Sequence, residues 1–396
     1  MRHKVKFLLL VAGKIAALVV AAVGAAPSEA ADGLDFSPAA DVLKRGIAER
    51  VFPGCAVAVG NSRKSLWREG FGFLDYETHE PVTQATIYDL ASLTKVIGTA
   101  TVVMRLIDDG RLRLDEPVAR RLPEFLDGFD EAQRGRRQAS VEHLLTHSAG
   151  LTAWQPFYKT VGSYDALVAA AAAAPLENDP GEVYRYSDLG FILLGELAAR
   201  AGGKPLAELE QELVFRPLAM PNTLRNPPPE LRERIAPAEE IEPGRGEFFR
   251  GVVHDENCRA AGGVTGHAGL FSTATDLARF AEHLLRILRG ETGLVSQDRL
   301  KQFTRRQHLI EGSSRALGWD TPSGDSSAGD LFSRRSFGHT GFTGTSIWID
   351  PDRDLYVILL TNRVHPTREN SRIHPVRRRL ADAVARVVDA ARDRKW

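Results

Sequence analysis

Cysteine is scarce in this chain: Cys55 and Cys258 are the only two among 396 residues, and no Cys-x-x-Cys occurs. A disulfide framework, thiol redox chemistry and a thiolate metal centre are therefore excluded as the basis of function. Export would permit one bridge between the two. Cys55, however, sits in the apolar run Cys55-Ala56-Val57-Ala58-Val59, where a thiol packs as a small hydrophobe. Net charge is missing as well: 51 Lys and Arg balance 51 Asp and Glu. No global field steers the chain toward nucleic acid or anionic lipid, and the balance points to a small-molecule or peptide substrate. Internal repeats, low-complexity tracts and the His-Glu-x-x-His spacing of zinc hydrolases are absent too.

No apolar run is long enough for a spanning helix. The N-terminus has a basic region (Arg2, Lys4, Lys6, Lys14) followed by Ile15 to Ala26, about a dozen residues where roughly 20 would cross a bilayer. Ser28-Glu29-Ala30 then places small residues where a signal peptidase reads them. Residues 1–30 read as a cleaved secretory signal, and the expected location is periplasmic or secreted; an uncleaved signal anchor is the alternative, and the only expected membrane contact. The remaining chain has average composition, 43% hydrophobic and 26% charged, and suits one large domain or two interlocked ones.

Periodicity predicts an amphipathic helix over Ala39 to Val51, then strands Gly54 to Gly60 and Ser65 to Gly72 joined near Asn61-Ser62. Helical spacing follows at Thr94 to Asp109, Val141 to His147, Ala166 to Ala173, Leu189 to Ala201 (closed by Gly202-Gly203) and Thr275 to Leu288. Asn226-Pro227-Pro228-Pro229 predicts a loop or linker. The tail returns to strands at Ser346 to Ile349 and Leu355 to Thr361, and ends in a helix from about Pro375 to Arg392. Strands at both ends with helices between them predict one mainly antiparallel sheet closed by the termini and flanked by helices, an α/β (α+β) fold with a helical subdomain. The sheet region covers about 38–90 and 255–396, and the helical region about 91–254, within a domain of residues 33–396.

Three short constellations carry chemistry. In Ser92-Leu93-Thr94-Lys95, helical spacing puts Ser92 and Lys95 one turn apart on one face, so the lysine can hold the hydroxyl proton. A lysine with that role must be neutral or share its proton, so burial is expected to depress its pKa. Tyr186-Ser187-Asp188 stands at a loop-to-helix junction, where a phenolate beside a lysine could relay a proton to a leaving group; Asp188 also suits an ordinary helix N-cap. His339-Thr340-Gly341-Phe342 leads toward the strand Ser346 to Ile349. Its glycine lets a substrate backbone approach, and its amides can meet a developing oxyanion.

Each constellation alone is common, but their order and setting are specific. The chain resembles the β-lactamase and penicillin-binding serine hydrolase superfamily, whose class A pattern is Ser-x-x-Lys, Ser-Asp-Asn and Lys-Thr-Gly. The tyrosine makes it more similar to class C β-lactamases, D-Ala-D-Ala carboxypeptidases and esterases of that fold. Supporting phrases are Pro53 to Val59, Leu144 to Leu151 and Gly266 to Thr273, and the likeness runs from about Pro38 to the C-terminus. The resemblance implies Ser92 as nucleophile, Lys95 as its partner and Tyr186 as proton relay. It implies Asp188, His339, Thr340 and Gly341 as substrate-binding groups, and the backbone amides of Ser92 and Phe342 as the oxyanion hole. No cofactor or metal is implied.

Two departures matter. Asp188 replaces the family's usual Asn and can accept but not donate when ionised; His339 replaces the usual Lys and binds a carboxylate less strongly when neutral. Both fit a peptidase or esterase better than an efficient β-lactamase. The leading expectation is a DD-peptidase-like enzyme acting on peptidoglycan-type D-amino-acid peptides. A carboxylic esterase or weak β-lactamase, and a non-catalytic cell-wall peptide-binding protein, are the alternatives. An α/β-hydrolase is disfavoured because Thr146-His147-Ser148-Ala149-Gly150 lacks the first glycine of the nucleophile elbow. For His254, Asp255 and His267 a hydrogen-bonded loop is expected before a metal site, and for His143 and His147 a helix end before a chelate.

Overall fold

The computed structural model describes residues 33–127 and 131–393. The signal read at residues 1–30 lies outside them. Among the described residues, no helix is long and apolar enough to cross a membrane.

The principal sheet has five antiparallel strands: β1 (Gly54–Gly60), β2 (Ser65–Gly72), β6 (Phe337–Thr340), β7 (Ser346–Asp350) and β8 (Leu355–Thr361), in the spatial order β2-β1-β8-β7-β6. β1 pairs with β8 from Cys55–Thr361 to Gly60–Tyr356, so the two ends of the chain do close one sheet. Side chains alternate across β1. Ala56 and Ala58 enter the larger core, together with Ile347, Ile349, Ile358 and Leu360. Cys55, Val57 and Val59 enter a second core under the helices Ser37–Ala48 and Ile373–Asp393. Because both faces are covered, β1 and β8 are apolar along their whole length, and for that reason their boundaries match the sequence-based ones residue for residue. The cysteines are free, buried and in different cores.

His339 leads into β7 as expected, and it lies itself within a further strand, β6, at the sheet edge beside β7, where Gly338 and His339 gave no β signal. A second sheet, in the order β3 (Tyr88–Asp89), β5 (Leu270–Ser272) and β4 (Leu224–Arg225), was not expected, and β4 falls inside the region read as helical and loop-rich. Its short strands carry too few residues for a periodicity signal. Asn226 to Pro229 contains the expected loop: Leu224–Arg225 before it pairs with β5, and Ile235 beyond it bridges Ile87.

The helix expected from Thr94 is a composite. A 3-10 turn at Ala91–Leu93 leads to a π-helical stretch, Lys95–Ala100, and then to the α-helix Thr101–Asp108. Such π segments are rare and concentrate at functional sites. The helix Asp188–Gly202 packs backbone to backbone on the segment 265–268. Gly195 lies against Gly266, and a Cβ on Gly266 would overlap the Phe191 carbonyl. That contact places Asp188, at the start of the helix, beside Lys95.

Candidate active site

Ser92 follows a strained residue. Ala91 has φ of 46°, left-handed for a side chain with a Cβ, and its amide donates to Asp89 Oδ1 at 2.8 Å. The other Asp89 oxygen accepts from the His254 amide at 2.7 Å. Burial raises the Asp89 pKa, against these two amides that favour its carboxylate. An over-determined, strained turn of this kind fixes the direction of the next side chain.

Lys95 is fully buried, and its Nζ donates to Ser92 Oγ at 2.9 Å and to the carbonyl of His267 at 3.2 Å. It also forms an ion pair with Asp188 Oδ1 at 2.7 Å. Here the structure reverses the sequence-based expectation. Burial disfavours the ammonium, but Asp188 and Tyr186 outweigh it and hold the Lys95 pKa above the ordinary lysine value. Asp188, expected to face substrate, turns instead onto the lysine. The Asn usual at this position could not supply that charge. Tyr186 places its ring centroid 5.0 Å from Lys95 Nζ.

His339 and Tyr186 face one cavity of about 370 Å3, which Ser92, Thr340, Gly341 and Phe342 also line. The Nδ1 of His339 lies 2.8 Å from the Thr340 carbonyl, which can only accept, so Nδ1 carries the proton. Burial first, then Arg315, Lys95 and Arg377, drive its pKa well below the ordinary histidine value. The ring is therefore neutral, and it offers a buried Nε2 lone pair that no protein group fills among the described residues. Thr340 ends β6, and Gly341 accepts from Arg377 Nη2 at 2.8 Å. The amides of Ser92 and Phe342 donate to no protein acceptor among the described residues.

Several groups here had no sequence signal. Arg315, Arg363 and Arg377 line the same cavity, with Asp320 as its one carboxylate among the described residues. Arg315 Nε donates to Tyr184 Oη at 3.0 Å and lies 4.0 Å from Asp320 Oδ1, whereas its Nη1 is buried with no hydrogen-bond partner among the described residues. Arg377 comes from the C-terminal helix; its Nε likewise has no partner among the described residues, and burial lowers its pKa to about 9. Arg363 donates to the Phe342 carbonyl at 2.7 Å and stacks on the Phe342 ring. His147 accepts the Ser187 amide at Nδ1 (3.1 Å) and packs 4.5 Å from the Tyr186 ring. His143 instead belongs to a capping box with Ser140. His254 and His267 contact Glu239 (3.0 Å) and Asp255 (2.9 Å) respectively. Among the described residues, no group of three His, Cys, Asp or Glu is placed to hold a metal ion.

A serine held by a buried lysine, a tyrosine over that lysine and a Thr-Gly edge strand define the class of site found in serine acyl-transfer enzymes. The Beta-lactamase family model matches residues 39–382, and the chain belongs to that family of serine hydrolases. It is 31% identical to a protein of Escherichia coli (strain K12) provisionally named D-alanyl-D-alanine carboxypeptidase, over 82% of each chain. It is also 31% identical to the N-acetylmuramyl-L-alanine amidase of Bacillus subtilis (strain 168), over 82% of this chain and 80% of that one. Among solved structures, EstCE1, a hydrolase with promiscuous acyltransferase activity, shares the fold (TM-score 0.70, 23% identity, 88% of this chain and 97% of that one). So does the octameric penicillin-binding protein homologue from Pyrococcus abyssi (TM-score 0.70, 22% identity, 89% and 77%).

Proposed function

We propose that the protein is a DD-peptidase-like serine hydrolase that releases a C-terminal amino acid from peptidoglycan-type D-amino-acid peptides outside the cytoplasmic membrane. The observation that carries this reading is the unpartnered Nη1 of buried Arg315 in the Ser92 cavity, beside Arg377 and a neutral His339. Buried donors without acceptors are costly and rare, and a cavity with this cation excess fits a ligand carboxylate. A C-terminal carboxylate on the leaving amino acid meets that need; a plain ester does not. The names of the two relatives, one a carboxypeptidase and one an amidase, support amide cleavage in cell-wall material.

In this reading Ser92 Oγ attacks the scissile carbonyl carbon. At rest Lys95 is an ammonium and cannot take the Ser92 proton. Asp188 holds that ammonium in place, and the reaction proceeds from the fraction of enzyme in which Lys95 has lost its proton to solvent. The neutral amine then accepts the Ser92 proton as the Oγ–C bond forms. The oxyanion sits between the amides of Ser92 and Phe342. Collapse breaks the C–N bond, and the departing amine receives a proton through Tyr186. Water then attacks the acyl-enzyme, gives one proton back through the same groups, and frees the acid and Ser92.

The test is release of D-Ala from a peptide ending in D-Ala-D-Ala, with intact-mass detection of a covalent penicillin adduct, for wild type and Ser92→Ala. Release and adduct in the wild type alone support the reading. Ser92-dependent hydrolysis of short esters without D-Ala release would replace it with an esterase.

A further inference from the structure

Lys95 has a partner that belongs to none of the three motifs, the backbone carbonyl of His267 at 3.2 Å. That peptide is anchored on every side. The preceding carbonyl, of Gly266, accepts from Thr99 Oγ1 at 2.8 Å, and Gly266 itself is pressed against Gly195. The following carbonyl, of Ala268, accepts from Arg225 Nη1 at 2.8 Å. The His267 ring is buried and engaged at both nitrogens: Nε2 lies 2.9 Å from Asp255 Oδ1, and Nδ1 lies 2.9 Å from Thr265 Oγ1. Asp255 also caps the short helix Glu256–Ala260, accepting the Cys258 amide at 2.7 Å.

We propose that Asp255 and His267 are positioning residues for Lys95: the carboxylate–imidazole pair fixes the carbonyl that receives Nζ, and so holds the amine on Ser92 Oγ. The inference rests on the proposed role of the Ser92–Lys95 pair and extends it to a part of the chain that no motif contains. Three acceptors surround the ammonium, namely Ser92 Oγ, Asp188 and the His267 carbonyl. Ser92 Oγ changes during the reaction as it becomes acylated, and Asp188 sits on a partly exposed side chain. The His267 carbonyl is a main-chain group, anchored on both sides, that keeps its chemistry and place throughout, so it is the fixed point about which Nζ is held. The Asp255 carboxyl has the matching electrostatics. Burial opposes its charge, but His267, the Cys258 amide and Lys95 together hold it well below the ordinary carboxylate range. The charged and titratable groups around Lys95 are thus Asp188, Tyr186, His147, His339 and, through His267, Asp255.

Asp255→Asn separates the charge of the pair from the fold, because one Asn oxygen still caps the helix and still accepts from His267, more weakly, while the charge is lost. The measurement is Ser92-dependent ester hydrolysis by the full chain from about pH 5 to 9, alongside the thermal midpoint. The expected result is kcat down about tenfold with KM within about twofold. Loss of a negative charge near Lys95 lowers its pKa, so the acid limb of the profile shifts to lower pH. Thr265→Val, which removes the Nδ1 partner and a hydrogen bond to the Ala268 carbonyl but no charge, should lower kcat less and leave the limb in place. Wild-type kcat and an unshifted limb in folded Asp255→Asn would overturn the proposal. If Asp255→Asn does not fold, wild-type kcat in folded Thr265→Val overturns it instead. Ester hydrolysis reports on Lys95 whatever the natural substrate, so a wild type that never releases D-Ala would defeat the peptidase reading and leave this test standing.

Discussion

Lys95 Nζ and Asp188 Oδ1 lie 2.7 Å apart, an ion pair between a fully buried ammonium and a partly exposed carboxylate. The pair fixes the resting charge state: the lysine beside the serine is protonated, and Asp188 keeps it so. Asp188→Asn removes the charge and lowers the Lys95 pKa. Since acylation requires the neutral amine, the acid limb of kcat/KM should move to lower pH. Acylation by penicillin at neutral pH should be faster, as stopped-flow fluorescence would show. A limb that stays in place would mean that the ion pair does not govern the base.

Arg315 gives a substrate-specific prediction. Arg315→Ala should reduce kcat/KM for a peptide with a free C-terminal carboxylate by about 10- to 100-fold, the equivalent of about 1.5–3 kcal/mol for a charged hydrogen bond. The same peptide amidated at its C-terminus, or a neutral ester, should change by less than about twofold. Equal losses on all three would show that Arg315 supports the fold of the cavity and not recognition.

Glu239 controls acid stability. Burial disfavours its charge, but His254 and Arg368 hold its pKa down at about 2. A depressed carboxyl stabilises the fold above its unfolded pKa, near 4.5, and that contribution is lost as pH falls from about 4.5 toward about 2. Glu239→Gln should remove on the order of 1–2 kcal/mol at neutral pH, after allowance for solvent screening, and flatten the pH dependence over that window. Urea titrations at several pH values would measure it. A variant with the wild-type slope would assign the acid lability elsewhere.

Gly266→Ala tests the backbone contact that seats the Asp188–Gly202 helix. The added Cβ meets the Phe191 carbonyl and the Gly195 backbone, neither of which can rotate away. Destabilisation of about 1–3 kcal/mol is expected, together with a loss of activity larger than the loss of folded protein, because Asp188 and the His267 carbonyl move apart. Calorimetry and active-site titration of one preparation distinguish the two effects. A fully active, equally stable variant would show that the contact relaxes.

Much of the architecture was legible because it repeats along the chain. β1, β2 and β8 show as apolar or alternating runs, and the Asp188–Gly202 helix announces its end at Gly203, whose φ of 68° suits the glycine. β6 was missed because Gly338 and His339 are poor strand residues; its pairing with β7 holds it. Arg315 and Arg377 were missed for a different reason. They lie far apart in sequence, one in a loop and one in an amphipathic helix, and no local pattern marks a guanidinium that will be buried with a free N–H.

The sequence by itself determined the chemistry available: Ser92, Lys95, Tyr186 and the His339-Thr340-Gly341 segment are local motifs, and local spacing brings Ser92 and Lys95 within hydrogen-bond reach. Tertiary structure alone decided the protonation states. Lys95 was expected to have a depressed pKa because it would be buried, and buried it is. Its charge nevertheless follows Asp188, which a distant helix brings to it, and the neutrality of His339 follows Arg315 and Arg377 as well as burial. Electrostatic energy in a low-dielectric interior depends on distances between groups from separate parts of the chain, and those distances exist only once the chain has folded.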